Sequence, residues 1–392
     1  MSGVHAKKKD LRILLGILAA IFTLAAAALF AWMLPKLGAT VGAAAATETV
    51  GTRSELEVAE PFGRHVNNLS AAAMEGIIAI PKSYLLPEDT VVAPKPDQAN
   101  FGRSADPADT APILAAAEEL LDGQETVWSP ETVIRKDSEV LWYLDDTILS
   151  ITWKQVINST VYTFTEVKVG HPSQFRRYLA DNTFASPVQY TPTEMARTVN
   201  AVSAMSADFY KFRRYGIVVY QRQLYRAEGI VLDTCFVDSK GDLNFVRART
   251  LTDAEAMQRY IDEHDILFSL AFGPILLEDG QIVMNDNYLV GEVKDYYARA
   301  AISQLGECHY LLCTVNGEAV YGPLHATTRD VAVALQSLGV KKAYTLDGGQ
   351  TAAMVVNGEL INHVEYGSQR AVSDIIYFAT AIPERQGEAE HG

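Results

Sequence analysis

From Ile13 to Leu34 the chain runs for about 22 residues without a charge, and this run limits every topology open to the rest of the chain. At about 1.5 Å per residue, a helix of that length crosses a hydrocarbon core of about 30 Å. Lys7, Lys8, Lys9 and Arg12 precede the run, and Pro35 and Lys36 close it. Basic residues on the leading side favour an N-terminus inside the cell and the bulk of the chain outside. The expectation is a cytoplasmic segment 1–12, a transmembrane signal anchor 13–34 and an extracytoplasmic remainder at the cell membrane. A cleaved signal peptide has an apolar core of only about 7–15 residues, although the small residues of Val41-Gly-Ala-Ala-Ala-Ala46 leave cleavage open. No second run of comparable length occurs downstream, so a single span is expected.

Residues 35–105 have the character of an extended stalk: rich in Ala, Thr, Gly and Glu at first, then broken by Pro61, Pro81, Pro87, Pro94 and Pro96. A folded domain is expected over 106–383, followed by a disordered tail at 384–392. Asp106-Pro-Ala-Asp-Thr110 opens a helix with Ile113, Leu114, Ala117, Leu120 and Leu121 on one face, and Asp122-Gly123 closes it. β-Branched and aromatic runs predict strands at 140–144, 149–153, 161–169, 217–220, 230–232, 266–272, 309–315, 343–346, 353–356 and 375–378. Helices are expected at 172–179, 193–201 and 252–260, and after Thr327 or Thr328 up to Gly339. Strands outnumber helices and short turns join many of them. The class is therefore α+β, with largely antiparallel β-sheets and flanking helices behind one N-terminal transmembrane helix.

A formal charge of −15 argues against a nucleic-acid partner, which needs a basic footprint. Any phosphate site must then be a local cluster of arginines and backbone amides inside an acidic protein. Cys235, Cys308 and Cys313 lack metal-ligand spacing; they leave room for one disulfide and exclude a disulfide-dense scaffold.

Leu346-Asp-Gly-Gly-Gln-Thr351 stands between two strand-like runs. Asp-Gly between strands makes a hairpin turn, since glycine accepts positive φ. The same pattern also suits a carboxylate at a strand end, beside glycines that let a ligand approach backbone amides. Arg299 and Arg370 lie in short polar segments next to strands, and a guanidinium offers a planar fork for phosphate oxygens or a partner for a surface carboxylate. Asp208, in Ser206-Ala-Asp-Phe-Tyr210, fits a catalytic carboxylate or the cap of a turn into Lys211-Phe-Arg-Arg214. The aromatics between Phe209 and Tyr225 suit a packed core better than a sugar-stacking surface. His325 and His363 stand alone without metal-type spacing and are expected to be structural. No cofactor is indicated; carboxylates near phosphate could hold a divalent cation, but no compact motif demands one.

Taken in order, Ala204-Met-Ser-Ala-Asp-Phe-Tyr210, Phe272-Gly-Pro-Ile-Leu276, Arg299-Ala-Ala-Ile302, Leu346-Asp-Gly-Gly349, Val356-Asn-Gly358 and Arg370-Ala-Val-Ser-Asp374 resemble the phosphodiester glycosidase family. The resemblance runs from about residue 161 to residue 383 and is most specific in its last hundred residues. It implies hydrolysis of a glycosyl phosphodiester, with cell-envelope polymer or exopolysaccharide as the expected substrate. It implies Asp347 as the catalytic carboxylate and Asp208 as its partner if two are used. Gly348, Gly349, Thr351, Arg299, Arg370, Ser373 and Asp374 would line the substrate and phosphate site. The chain departs from the family pattern in three places: Ser206-Ala207 replaces Asn-Gly, Asn316 replaces an aspartate, and Gln350 follows the glycine pair in place of Gly. Such losses can leave a glycan-binding protein without turnover or a branch with a different substrate.

Overall fold

The computed structural model describes residues 86–87, 90–134, 138–315 and 326–382. The expected anchor at 13–34, most of the expected stalk, the tail at 384–392, Asn316 and His325 lie outside the described residues. Among the described residues, no helix is long and apolar enough to cross a membrane.

Nineteen strands among the described residues form four sheets, and every strand pair is antiparallel. The largest sheet runs β1 (Phe101–Ser104), β2 (Val140–Leu144), β3 (Ile148–Ile157), β4 (Thr160–Val169), β15 (His309–Val315), β14 (Ala300–Gly306), β16 (Lys342–Leu346), β12 (Ile275–Glu278) and β13 (Gln281–Ile282). A five-stranded sheet has the order β18 (Glu359–Leu360), β17 (Met354–Val356), β6 (Ser203–Ser206), β19 (Asp374–Phe378) and β5 (Phe175–Leu179). Two smaller sheets pair β10 (Leu243–Val246), β9 (Thr234–Asp238) and β11 (Ile266–Leu270), and β7 (Val218–Tyr220) with β8 (Gln223–Arg226).

Side chains alternate across a strand, so a strand buried on both faces is apolar at odd and even positions alike. On β15, Tyr310 and Leu312 enter a core shared with Met205, Cys235, Leu270 and Phe378 of the five- and three-stranded sheets. Leu311, Cys313 and Val315 point the other way, into a second core with Trp128, Val331 and Leu335. Helices α1 (Ala111–Ala116), α2 (Glu118–Leu121) and α5 (Thr328–Ser337) contribute to that second core. The five-stranded sheet is backed by α3 (Pro192–Thr198) through Met195 and Ala196, and α4 (Ala254–Glu263) packs Met257 and Ile261 against Phe236. Thr191 and Thr327 close capping boxes with Glu194 and Asp330 at the starts of α3 and α5.

Four sequence expectations change. The folded region reaches back into the expected stalk: Leu86 and Ala93 are buried, and β1 pairs with β2 ahead of residue 106. Only Pro172–Gln174 of the helix expected at 172–179 is helical, as a 3-10 turn; Phe175–Leu179 extends because all five residues pair with β19. Ile230–Leu232 is not a strand, and Ile230 is half exposed. The three cysteines are all free and buried, so the disulfide left open by their number is not formed.

Candidate active site

The stretch Asp347–Ala353 is not a hairpin. β16 belongs to the nine-stranded sheet and β17 to the five-stranded one, so the Asp-Gly-Gly segment is the crossing between two sheets. The crossing is tight. The Asp347 amide donates to the Ala207 carbonyl at 3.1 Å and the Gly349 amide to the Ala298 carbonyl at 2.8 Å. A Cβ on Gly348 would stand 2.6 Å from that same Ala298 oxygen, and Gly349 holds φ +64. The two glycines therefore satisfy a close approach of backbone to backbone. The amides of Asp347 and Gly349 are engaged inside the protein, which corrects the expectation of bare amides at those two positions.

Ser206 and Thr351 brace the crossing from the five-stranded side. Thr351 is buried; its hydroxyl donates to the Gly348 carbonyl at 2.7 Å, and its own carbonyl accepts from the Ser206 hydroxyl. Ser206, one of the three departures from the family pattern, is thus a buried structural contact. Gln350, another, holds the neighbouring loop through the Ser368 carbonyl at 3.1 Å.

Beneath Asp347 lies a buried chain of alternating charge. Asp208, two residues past the end of β6, pairs with Arg213; it also accepts from the amides of Phe209 and Ala271, and lies 3.6 Å from Arg177. Arg177, from β5, donates to Asp374 at 2.8 Å through Nε and to the Ser269 carbonyl through Nη1, and its Nη2 lies 2.6 Å from the same Asp374 oxygen as an ion pair. The Ser373 hydroxyl donates to the other Asp374 oxygen at 3.1 Å. Arg226 fastens the loop that carries Arg213, donating to the carbonyls of Tyr210, Arg213 and Gly216 at 2.7–2.9 Å.

The three carboxylates differ in proton affinity. Burial pushes Asp347 up to about 7, against a hydrogen bond from Thr351 and the charges of Arg213 and Arg370. Burial also raises Asp374 above the ordinary carboxylate range, with Arg177 opposing it. Burial would raise Asp208 as well, but the guanidiniums of Arg213 and Arg177 outweigh it and keep that carboxyl below its ordinary value. Asp347 is therefore the group able to hold and release a proton near neutral pH, while Asp208 stays ionised and anchors Arg213.

The two arginines singled out in the sequence part company. Arg370 is exposed beside Asp347, its guanidinium 5.9 and 5.4 Å from the ring centres of Phe209 and Phe212, which stack at 4.7 Å. Arg299 is 4% exposed and donates to four carbonyls, those of Ala326, Gly291, Glu292 and Asp295, at 2.6–3.0 Å. Its fork ties a loop to the start of β14, which stands against the role of phosphate ligand. Ser373 and Asp374, at 1% and 0% exposure, support the network from below and do not line an open surface.

Arg177 and Arg213 are the site residues that the sequence alone does not mark. Arg213 is visible in Lys211-Phe-Arg-Arg214, but nothing in that string separates it from Arg214. A separate cavity of about 280 Å³, lined by Leu86, Phe175, Tyr220 and Phe268, reaches the network at Arg177 and includes neither Asp347 nor Arg370. Among the described residues, no group of three or more His, Cys, Asp or Glu side chains is gathered as a metal ion would need. His363 is exposed.

Residues 197–379 match the family model for phosphodiester glycosidase. No curated protein matches the chain in sequence. Among solved structures, a hypothetical protein from Synechocystis is 15% identical, with a TM-score of 0.47, covering 59% of this chain and 62% of that one. The catalytic domain of zebrafish N-acetylglucosamine-1-phosphodiester alpha-N-acetylglucosaminidase, auto-inhibited by its pro-peptide, is 19% identical with a TM-score of 0.46, covering 59% and 83%. The match thus spans under two thirds of the Synechocystis protein's length. With Asp208, Arg213, Arg299, Asp347, Arg370 and Asp374 all inside the matched segment, the chain carries a domain of the phosphodiester glycosidase family, a family of hydrolases.

Proposed function

We propose that this chain is a membrane-anchored, extracytoplasmic hydrolase of sugar-1-phosphate diesters in cell-envelope or exopolysaccharide material. The observation that carries the reading is Asp347, a carboxyl raised to about 7 by burial, at a sheet crossing beside the exposed Arg370. A glycosyl phosphodiester is cleaved most readily when its bridging oxygen receives a proton as the bond breaks. Asp347 supplies that proton at neutral pH, and Arg370 holds the phosphate from the solvent side as a charge-assisted partner. The stacked Phe209 and Phe212 give the sugar an apolar face next to the same arginine. The basic flank and uncharged run at 13–34 support the anchor and its orientation.

One observation favours a second reading, a glycan-binding protein of the same fold without turnover. Asp208, the expected partner of Asp347, is fully engaged by Arg213, Arg177 and two amides, which leaves one titrating carboxyl facing substrate. Turnover of a chromogenic sugar phosphodiester by the full chain in detergent separates the two. The hydrolase reading expects turnover that disappears in Asp347→Asn and a KM raised about tenfold in Arg370→Ala, the loss of one charged hydrogen-bonding partner. Binding without turnover in the wild-type chain would establish the second reading instead.

A further inference from the structure

Arg213 differs from the other buried arginines of the network in how little of its guanidinium is engaged. Its side chain is 4% exposed, and Nη2 alone meets protein acceptors, the Asp208 carboxylate and the Ala271 carbonyl. Nε and Nη1 are buried without a hydrogen-bond partner among the described residues. Arg226 and Arg177 share this trait at one nitrogen each, Nη2, and that of Arg177 is matched by an ion-pair contact with Asp374 at 2.6 Å. Buried N–H donors of a cation seek acceptors strongly, because low dielectric raises the cost of leaving them unmatched.

The group is also held ready. Asp208 fixes one end, the ring of Phe272 lies 5.6 Å from Cζ, and Arg226 fastens the Arg213 carbonyl at 2.7 Å. A guanidinium fixed in this way loses little freedom when an anion arrives. Asp208, the partner of Arg213, stands between Ala207, whose carbonyl accepts from the Asp347 amide, and Phe209, whose ring centre lies 5.9 Å from the Arg370 guanidinium. An anion between the two arginines would lie against Asp347.

We propose that the unpartnered nitrogens of Arg213 form the inner anion subsite of this domain, binding a non-bridging oxygen of a phosphodiester opposite Arg370, in the role that the sequence pattern alone suggested for Arg299. The assignment rests on the glycosyl-phosphodiester reading for its ligand class. The geometry of Arg213 makes its own demand: a tetrahedral oxyanion that is held whether or not it is cleaved. A neutral glycoside without phosphate gains nothing from this subsite.

The test uses the full chain in detergent and dimethyl phosphate as the probe, with a neutral methyl glycoside for comparison. Binding is followed by 31P line broadening and by the side-chain 15N signals of arginine. The expected result is that dimethyl phosphate slows exchange of one buried arginine Nε–H in the wild-type chain. Arg213→Lys, which keeps the charge beside Asp208, should weaken the probe at least tenfold. Arg299→Lys should leave the affinity of the folded fraction within about twofold, the scale of a group with no part in binding. Wild-type affinity in folded Arg213→Lys, or no arginine Nε–H responding in the wild-type chain, would overturn the proposal. Should Arg213→Lys fail to fold, the wild-type exchange measurement decides alone. Probe binding through Arg213 without turnover of any sugar phosphodiester would refute the hydrolase reading and leave the subsite standing. Turnover dependent on Asp347 with KM unchanged in Arg213→Lys would do the reverse.

Discussion

Replacing Asp347 by Asn keeps the shape of the protonated carboxyl and removes its ability to ionise, so the variant isolates what burial does to this one group. The folded chain holds the Asp347 proton up to about pH 7, against an ordinary value of 3.8. The folded state therefore binds that proton more tightly than the unfolded state. Stability from this residue is complete below about pH 4 and drains away as pH rises toward about 7. At about 1.36 kcal/mol per pH unit, the gap between 3.8 and about 7 is worth at most about 4 kcal/mol, and less to the extent that Asp347 faces solvent. Urea titrations of wild type and Asp347→Asn from pH 3.5 to 8.5 should coincide at the acid end. They should separate with a positive slope through the middle and level off above about pH 7, with Asn the more stable. Asp374, also raised by burial, is common to both proteins and cancels in the difference. A flat difference across the range, or an Asn variant weaker at every pH, would refute the argument that burial dominates at Asp347. Under the hydrolase reading, wild-type turnover falls above about pH 7, where the carboxyl no longer carries a proton.

Three further outcomes rest on other contacts. Gly348→Ala sets a Cβ 2.6 Å from the Ala298 carbonyl oxygen, a backbone atom that cannot rotate away; thermal denaturation should report a loss of about 1–3 kcal/mol, and under the hydrolase reading turnover falls with it. Asp374→Asn removes the carboxyl closest to Arg177; because burial raises that group to about 6, the wild-type chain gives up stability between about pH 4 and 6 that Asn keeps, so in urea titration the variant should gain on wild type from pH 4 to pH 8. Arg299→Ala unties the carbonyls of Gly291, Glu292, Asp295 and Ala326 together; hydrogen exchange should rise across 291–295, and Arg299→Lys should not restore protection, since a single ammonium cannot reach four acceptors.

The strands were legible wherever both faces of a sheet are buried, because Val161–Val169 and His309–Val315 are apolar or β-branched at nearly every position. Phe175–Leu179 was not, since Arg176 and Arg177 interrupt the apolar pattern and Pro172 starts a turn that reads as a helix. What makes it a strand is its partner β19, two hundred residues away in round terms. Asp347 stood out only through the family resemblance, because Asp-Gly between two strands reads equally as a hairpin turn; the close approach at Ala298 that demands its glycines is set by the crossing between two sheets. Arginine roles were illegible. Arg299 and Arg213 both follow or precede small or aromatic neighbours, and only the folded chain shows that one faces carbonyls and the other keeps nitrogens unpartnered. A guanidinium reaches several ångströms from its own backbone, so its target is set by tertiary packing and not by adjacent sequence.

The three buried thiols give this domain an internal clock. Cys235 and Cys313 are fully enclosed and Cys308 nearly so, and burial raises all three above the ordinary thiol range. A thiol reagent reacts with the thiolate, and so finds nothing to attack while the fold is closed. Cys308 occupies the turn of the β14–β15 hairpin at φ +51, where local fraying suffices to release it. Cys235 and Cys313, inside paired strands of two different sheets, require those sheets to come apart. Labelling rates at the three positions would therefore time a local and a global opening in one experiment, with no engineered reporter, and folding of the domain asks nothing of the redox state of its surroundings.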